Sequence, residues 1–258
     1  MPFIHKINPT IVDFGPIEIR WYGFFWFISI LFAYFYGRKE IVKKGILNEN
    51  EFDSLFLTCT IFLVLGARLG YVLIYNLKYY LANPLETFAI WKGGLSFFGG
   101  AAGLILSGAI WCLANKKSFL KLADIFTIPA AIANGLVRIG NFINSELYGS
   151  VTALPWAVNF LDERDQFGNL VFRHPSQLYE ASYNLIILAA MLFLKQKNLK
   201  PGIMIGVWLM LYAIFRSLVE FIRIPDYMVG PLTIGQFLSI PTFALGLFLV
   251  FKALKAKD

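Results

Sequence analysis

Cysteine is scarce, with two residues in 258, and both Cys59 and Cys112 fall inside apolar runs. That argues against a disulfide framework. With only two histidines and no CxxC pair, it argues equally against a thiolate or imidazole metal centre, so no metal and no cofactor is expected. The Gly-Lys-Ser/Thr ending of a phosphate-binding P-loop is missing. Internal repeats, low-complexity tracts and linkers to a second globular domain are also missing. Residues 1–16 hold Lys6 but no continuous apolar core, so no cleavable signal is expected and the first apolar segment is predicted to stay in the mature chain. Charged residues make up only 15% of the chain against 58% hydrophobic, with a mean hydropathy of +0.64. Such a chain is too apolar for a soluble domain. The net charge of +7 is not gathered on one face or in one block, which excludes a nucleic-acid partner.

What the chain has instead is apolar runs near 21–37, 54–76, 95–115, 122–137, 178–194, 202–222 and 233–251, each about as long as the roughly 20 residues a membrane-crossing helix needs. The expected fold is an all-α integral membrane protein, one domain over 1–258, with seven transmembrane helices. Asp124 opens the fourth run and Pro129 interrupts it, which predicts a kinked or partly re-entrant helix. Basic residues sort by connection. Arg38, Lys39, Lys43 and Lys44, then Lys116, Lys117 and Lys121, then Lys195, Lys197 and Lys200, then the tail with Lys252, Lys255 and Lys257 supply 13 of the 23. The positive-inside rule puts this side in the cytoplasm, with the C-terminus there and the N-terminus outside. The polar insertion at about 150–177 then lies outside. Trp156–Phe160 and Leu170–His174 are predicted as short strands flanking a turn-rich centre, a small extracytoplasmic hairpin.

The segment Arg138-Ile-Gly-Asn-Phe-Ile-Asn-Ser-Glu-Leu-Tyr-Gly149 puts a guanidinium, two carboxamides and a carboxylate at the end of an apolar run. A cation at bilayer depth costs about 2.5–3.5 kcal/mol even on insertion scales, so such groups generally line a polar cavity. The plain alternative is an interfacial loop that caps a helix. In the sixth run, Tyr212, Arg216, Glu220 and Arg223 fall on one helical stripe, and Arg216 and Glu220 are spaced for a local salt bridge. Arg138 and Arg216, at similar depth on one side, would repel each other unless a carboxylate or a bound anion lay between them. Guanidinium forks suit a phosphate, and at an outer leaflet a phosphate most naturally belongs to a phospholipid. A passive lipid site would carry the same features.

Arg68 sits in Gly66-Ala-Arg-Leu-Gly70, whose glycines read as a helix-packing spacing; the arginine itself either snorkels or joins a polar cavity. Gly93, Gly94, Gly99 and Gly100 allow the backbone to depart from helix and approach a ligand. Tyr22 stands where interfacial aromatics are expected. His174 precedes the fifth run, where Ser176 or Gln177 is a candidate N-cap.

Taken together, Arg20-Trp-Tyr-Gly23, Gly66-Ala-Arg-Leu-Gly-Tyr71, Gly93-Gly-Leu-Ser96, Arg138 to Gly149, Arg173-His-Pro-Ser-Gln-Leu-Tyr-Glu180 and Phe215-Arg-Ser-Leu-Val-Glu-Phe-Ile-Arg223 make the chain resemble the prolipoprotein diacylglyceryl transferase family over nearly its whole length. The resemblance implies a seven-helix inner-membrane enzyme that moves diacylglyceryl from phosphatidylglycerol to the lipobox cysteine of a prolipoprotein and releases sn-glycerol 1-phosphate. Its partners are then phosphatidylglycerol, the prolipoprotein signal peptide and the lipid bilayer. It further implies that Arg138 binds the lipid, that Asn141, Asn144, Glu146 and Gly149 shape the headgroup site, and that Tyr22, Arg216, Glu220 and Arg223 complete it, with Arg68, Ser96 and His174 among the substrate-binding residues. The chain departs from the family pattern at Phe98, where members commonly carry a histidine proposed as the thiol base.

A mechanism compatible with Phe98 uses Arg138 and Arg216 to favour the thiolate and to stabilise charge on the departing phosphate. The proton acceptor stays open among Glu146, Tyr22, His174, water and the phosphate itself, and Glu220 is expected to orient Arg216. Tyr22 and Glu146 stand with the two arginines as catalytic candidates. The competing class is a phospholipid or anion transporter, against which the one-sided placement of the polar residues speaks. A family member of reduced activity is the third reading.

Overall fold

The computed structural model describes residues 3–15, 18–225 and 227–256. Met1, Pro16 and Lys257, part of the expected lead and basic tail, lie outside the described residues. The described chain is mainly helical: α1 Trp21–Lys43, α2 Glu49–Ile74, α3 Leu77–Ala82, α4 Phe97–Ala114, α5 Phe119–Ile143, α6 Ser176–Lys195, α7 Ile203–Val219 and α8 Ile234–Lys255. Two 3-10 turns, Pro84–Phe88 and Ile90–Lys92, follow α3. Five of the helices, α2, α4, α5, α6 and α8, are long and apolar enough to cross a membrane. Of the other two expected spans, α7 has 17 residues. The 23-residue α1 is rich in Trp and Tyr, side chains of interfacial character.

Most helix ends differ from the apolar runs for local reasons. α2 starts five residues before its run because Asn48 and Glu51 form a reciprocal capping box. Pro129 lacks an N–H to donate, yet α5 continues through it as one 25-residue helix to Ile143. α7 stops at Val219, short of the expected 222, with Glu220 as its C-cap, and Arg223 instead pairs with Gly149 in an isolated antiparallel bridge. Ser176 and Gln177 do not cap α6; Pro175 holds the cap position, which leaves both side chains to reach elsewhere.

The chain divides into two compact units, Met1–Gly37 with Ala123–Asp258, and Arg38–Leu122. In the second unit α2 packs on α4 through glycines at i, i+4 on each helix. A Cβ on Gly99 would lie 2.9 Å from the Gly70 Cα, and one on Gly66 would lie 3.0 Å from the Gly103 Cα. Backbone meets backbone there, so no side chain can give way. Gly99→Val should therefore destabilise this unit by about 1–3 kcal/mol or more, measured as a lowered unfolding temperature of the purified protein.

In the first unit Ile128 and Ala131 of α5 meet Tyr183, Ile187 and Met191 of α6 and Val219 of α7 in one buried cluster. Tyr183 stacks on Phe215, with rings 5.4 Å apart and 4° from parallel. The α6 core stripe, Tyr183, Ile187 and Met191, continues back one turn onto Glu180, which is fully buried.

The 150–177 segment folds back on itself through bridges Val158↔Arg173 and Arg164↔Leu170, not through two five-residue strands. Its one strand, β4 (Val158–Asn159), pairs in parallel with β1 (Phe3–Ile4). Two further hairpins are short: β2 (Thr10–Asp13) with β3 (Glu18–Arg20), and β5 (Met228–Val229) with β6 (Leu232–Thr233).

Candidate active site

Glu180 is the meeting point of three helices of the first unit. Its carboxylate receives Arg138 Nε from α5 at 2.9 Å, Arg223 Nη1 from beyond α7 at 3.3 Å, and the Tyr183 hydroxyl of its own helix at 3.3 Å. Arg216 Nη1 of α7 stands 3.7 Å from the same carboxylate, beyond hydrogen-bond range. This nitrogen is buried and has no hydrogen-bond partner. The other terminal nitrogen, Nη2, binds Glu220 at 2.5 Å, the i, i+4 pair the spacing anticipates. Glu220 is itself buried against Gly235, where any Cβ would press on the carboxylate at 2.5 Å from Oε1. Arg138 and Arg216 thus converge on one carboxylate, which resolves the repulsion that two neighbouring, partly buried guanidiniums otherwise incur.

A second layer orients Arg138. Its Nη1 donates to Asn141 Oδ1 at 3.2 Å, and Asn141 Nδ2 donates to Glu146 Oε1 at 2.9 Å, where Asn144 Nδ2 also donates at 3.1 Å. Ser145 and Leu147, on either side of Glu146, have φ of +56° and +61°, uncommon for residues with a Cβ. Surrounding contacts hold this turn: Gln177 Nε2 donates to the Glu146 carbonyl at 2.6 Å, the Ser176 hydroxyl donates to the Leu147 carbonyl at 2.9 Å, and the Ser145 hydroxyl lies 3.0 Å from His5 Nδ1. Ser176 and Gln177 are therefore free of the cap in order to brace the loop. Tyr22 of α1 packs on Gly140 of α5, where a Cβ would lie 3.1 Å from the Tyr22 Cα.

Gly149 ties the loop to the far end of α7. Its N–H donates to the His174 carbonyl at 2.8 Å, and the next N–H, of Ser150, donates to the Ile222 carbonyl at 2.8 Å. Beside it Arg173 grips Glu163 with two bonds of 2.6 Å and lies over the Tyr148 ring. That pairing holds the Glu163 carboxyl below its ordinary range and the Arg173 guanidinium above its own. His174 Nδ1 is 3.3 Å from the Tyr179 hydroxyl, and burial lowers its pKa, which favours the uncharged ring.

The second unit holds Arg68, Ser96 and Phe98. The Arg68 guanidinium is buried and donates to four backbone carbonyls, those of Glu86 (2.6 Å), Thr87 (2.8 Å), Gly93 (2.6 Å) and Gly94 (3.1 Å). Gly93 and Gly94 have φ of +80° and +75°, a turn that suits glycine and aims both carbonyls at the arginine. Ser96 caps α4, accepting from the Gly99 N–H, and Phe98 is exposed.

Sequence reasoning missed Glu180 and Tyr183. The signal that could have found the carboxylate is its position on the extension of the apolar α6 stripe, where a charge must find partners from other helices.

Apolar helices enclosing a partly buried cage of three guanidiniums around two buried carboxylates define a membrane protein with a polar interior suited to an anion. The chain belongs to the prolipoprotein diacylglyceryl transferase family, whose model matches residues 9–252. Relatives named phosphatidylglycerol–prolipoprotein diacylglyceryl transferase include one from Geobacter sulfurreducens, 42% identical over 253 residues and covering 96% of this chain and 95% of the relative. Another, from Wolbachia pipientis, is 40% identical over 257 residues and covers 96% of each. A third, from Desulfotalea psychrophila, is 41% identical over 257 residues, with 95% and 93% covered.

Proposed function

We propose that the chain transfers the diacylglyceryl group of phosphatidylglycerol to the lipobox cysteine of a prolipoprotein, with Arg138 and Arg216 holding the lipid phosphate. The observation that carries the site assignment is the convergence of these two arginines on Glu180, together with a buried Arg216 Nη1 that lacks a hydrogen-bond partner. An unmet buried donor is costly, and a phosphate oxygen would satisfy it. The seven-span reading supplies the setting: α1 and α7 join the five helices that are both long and apolar enough to cross, the lysine-rich connections face the cytoplasm, and the N-terminus and the Glu146–His174 region face outward.

In the reaction the cysteine sulfur forms a bond to the glyceryl carbon while the carbon–oxygen bond to phosphate breaks, its electron pair leaving with the phosphate oxygen. The thiol proton passes to Glu146, Tyr22, His174 or the released phosphate, and sn-glycerol 1-phosphate departs. The arginines act twice, lowering the thiol pKa and neutralising the charge that accumulates on the leaving group. Glu220 orients Arg216, and Asn141, Asn144 and Glu146 orient Arg138. Gly149 and Arg223 close the site. Arg68 and Ser96 shape the turn before α4, their contribution to substrate binding being the architecture of that turn.

Purified protein incubated with phosphatidylglycerol and a lipobox peptide tests the reading. A peptide mass gain with release of glycerol phosphate is expected, whereas unmodified peptide with lipid flux would make the protein a transporter. His174→Ala should retain measurable transfer, with kcat reduced by no more than about tenfold, because its ring bonds Tyr179 and three other acceptors are available. A loss beyond about a thousandfold would make His174 the base.

A further inference from the structure

Of the two histidines, His5 is the one the transfer chemistry leaves unused, and it is buried. It follows strand β1, which pairs in parallel with β4, and its N–H extends that pairing by donating to the Asn159 carbonyl at 2.9 Å. The strand thereby carries the ring to the loop after α5, 140 positions further along the chain. There the ring meets Phe142 edge-on at 5.0 Å and lies against Phe160 at 5.6 Å, and Phe160 stacks on Tyr148 at 4.9 Å. Phe142 precedes the 144–147 turn and Tyr148 follows it, so the aromatic box gathers both ends of that turn. His5 Nδ1 is 3.0 Å from the Ser145 hydroxyl, the bond this hydroxyl makes among the described residues. Burial is the largest influence on the ring's pKa and lowers it, which favours the uncharged form whose Nδ1 can accept from the hydroxyl.

The turn needs such a hold. Ser145 and Leu147 both have positive φ, and a left-handed backbone at residues with a Cβ persists where the surroundings over-determine it. From α6, Gln177 and Ser176 fix the carbonyls of Glu146 and Leu147. The Ser145 side is fixed by His5. Between these two anchors stands Glu146, whose Oε1 receives the amides of Asn141 and Asn144, and Asn141 in turn receives Arg138 Nη1. Resting on the transfer reading above, we propose that His5 is a positioning residue for the reaction: the imidazole carried in by the N-terminal strand holds the Ser145 hydroxyl, and with it the turn that aims Glu146 at the amides behind Arg138.

The test uses the full-length protein in detergent with phosphatidylglycerol and a lipobox peptide. His5→Phe keeps an aromatic ring in the box but cannot accept from Ser145, and kcat should fall about tenfold, near the upper end of what one hydrogen bond is worth. His5→Asn returns a polar atom close to the place of Nδ1 and should bring kcat back to within about threefold of wild type. Ser145→Ala removes the same bond from the other side and leaves the box intact, so it carries the test if a His5 variant folds poorly; it should match His5→Phe. The double variant should fall no further than either single one, because one interaction is lost once. Losses that multiply in the double variant overturn the proposal, as does His5→Asn performing no better than His5→Phe. Amide hydrogen exchange over 143–149 reads the brace without catalysis. The Glu146 N–H, bonded to the Asn141 carbonyl at 3.0 Å, should lose protection in His5→Phe and Ser145→Ala and keep it in His5→Asn. Exchange that stays at the wild-type level in both His5→Phe and Ser145→Ala overturns the brace. Absence of peptide modification by the wild type would reject the transfer reading instead, and the exchange data would then decide the hold of His5 on the turn by themselves.

Discussion

Arg138→Ala should remove diacylglyceryl transfer, lowering kcat/KM by about a thousandfold or more, equivalent to about 4 kcal/mol of transition-state stabilisation. Arg138 Nε is bound to Glu180 and Nη1 to Asn141, so both the charge and the direction of the guanidinium are set before any lipid arrives. Donors preorganised in this way are worth about a hundred- to a thousandfold each. Truncation has a second cost, since Glu180 and Asn141 each lose a partner in a buried setting. Arg138→Lys separates the two contributions: it keeps the charge but cannot make the planar two-point contact, and should recover only a small part of the lost rate. Initial rates of peptide lipidation, alongside the unfolding temperature, check both. Near-wild-type transfer by Arg138→Ala in a folded protein would refute the assignment of the phosphate site.

The arginines were legible in the sequence because charge inside an apolar run is rare, and the Arg216–Glu220 pair because four residues is one helical turn. Glu180 was not, since its partners lie 42 positions before it at Arg138 and 36 and 43 after it at Arg216 and Arg223; no spacing encodes that meeting. Apolar runs located the helices, but the ends depend on groups that hydropathy does not weigh. The Asn48 capping box extends α2, and the Gly149↔Arg223 bridge takes over where α7 stops. The 150–177 region was readable as a polar fold-back from its turn residues. Its parallel partner, Phe3–Ile4, was not, because a pairing across most of the chain leaves no local pattern. In the second unit Gly66 and Gly70 could be read as packing residues. The role of Gly93 and Gly94 in turning two carbonyls onto Arg68 needed the backbone.

Gly149→Ala should cost about a hundredfold in kcat while leaving the helices formed. The site of the added methyl is closed on two sides: it would lie 2.5 Å from the Ile222 carbonyl oxygen and 2.8 Å from the His174 Cβ. One neighbour is backbone and the other is fixed by the loop hydrogen bonds, so relief requires the 146–150 turn to separate from the end of α7. Two backbone bonds of 2.8 Å, Gly149 to His174 and Ser150 to Ile222, hold that junction. Its displacement moves Glu146 on one strand and Arg223 on the other, and with them the amide chain to Arg138 and one cation on Glu180. Overpacking of this kind costs about 1–3 kcal/mol in stability, whereas a shift of about 1 Å in a catalytic group can cost about a hundredfold in rate. Activity should therefore fall much further than stability, with near-native helical circular dichroism and a modest drop in unfolding temperature. If rate and unfolding temperature instead both stay at wild-type values, the junction does not position the arginine cage.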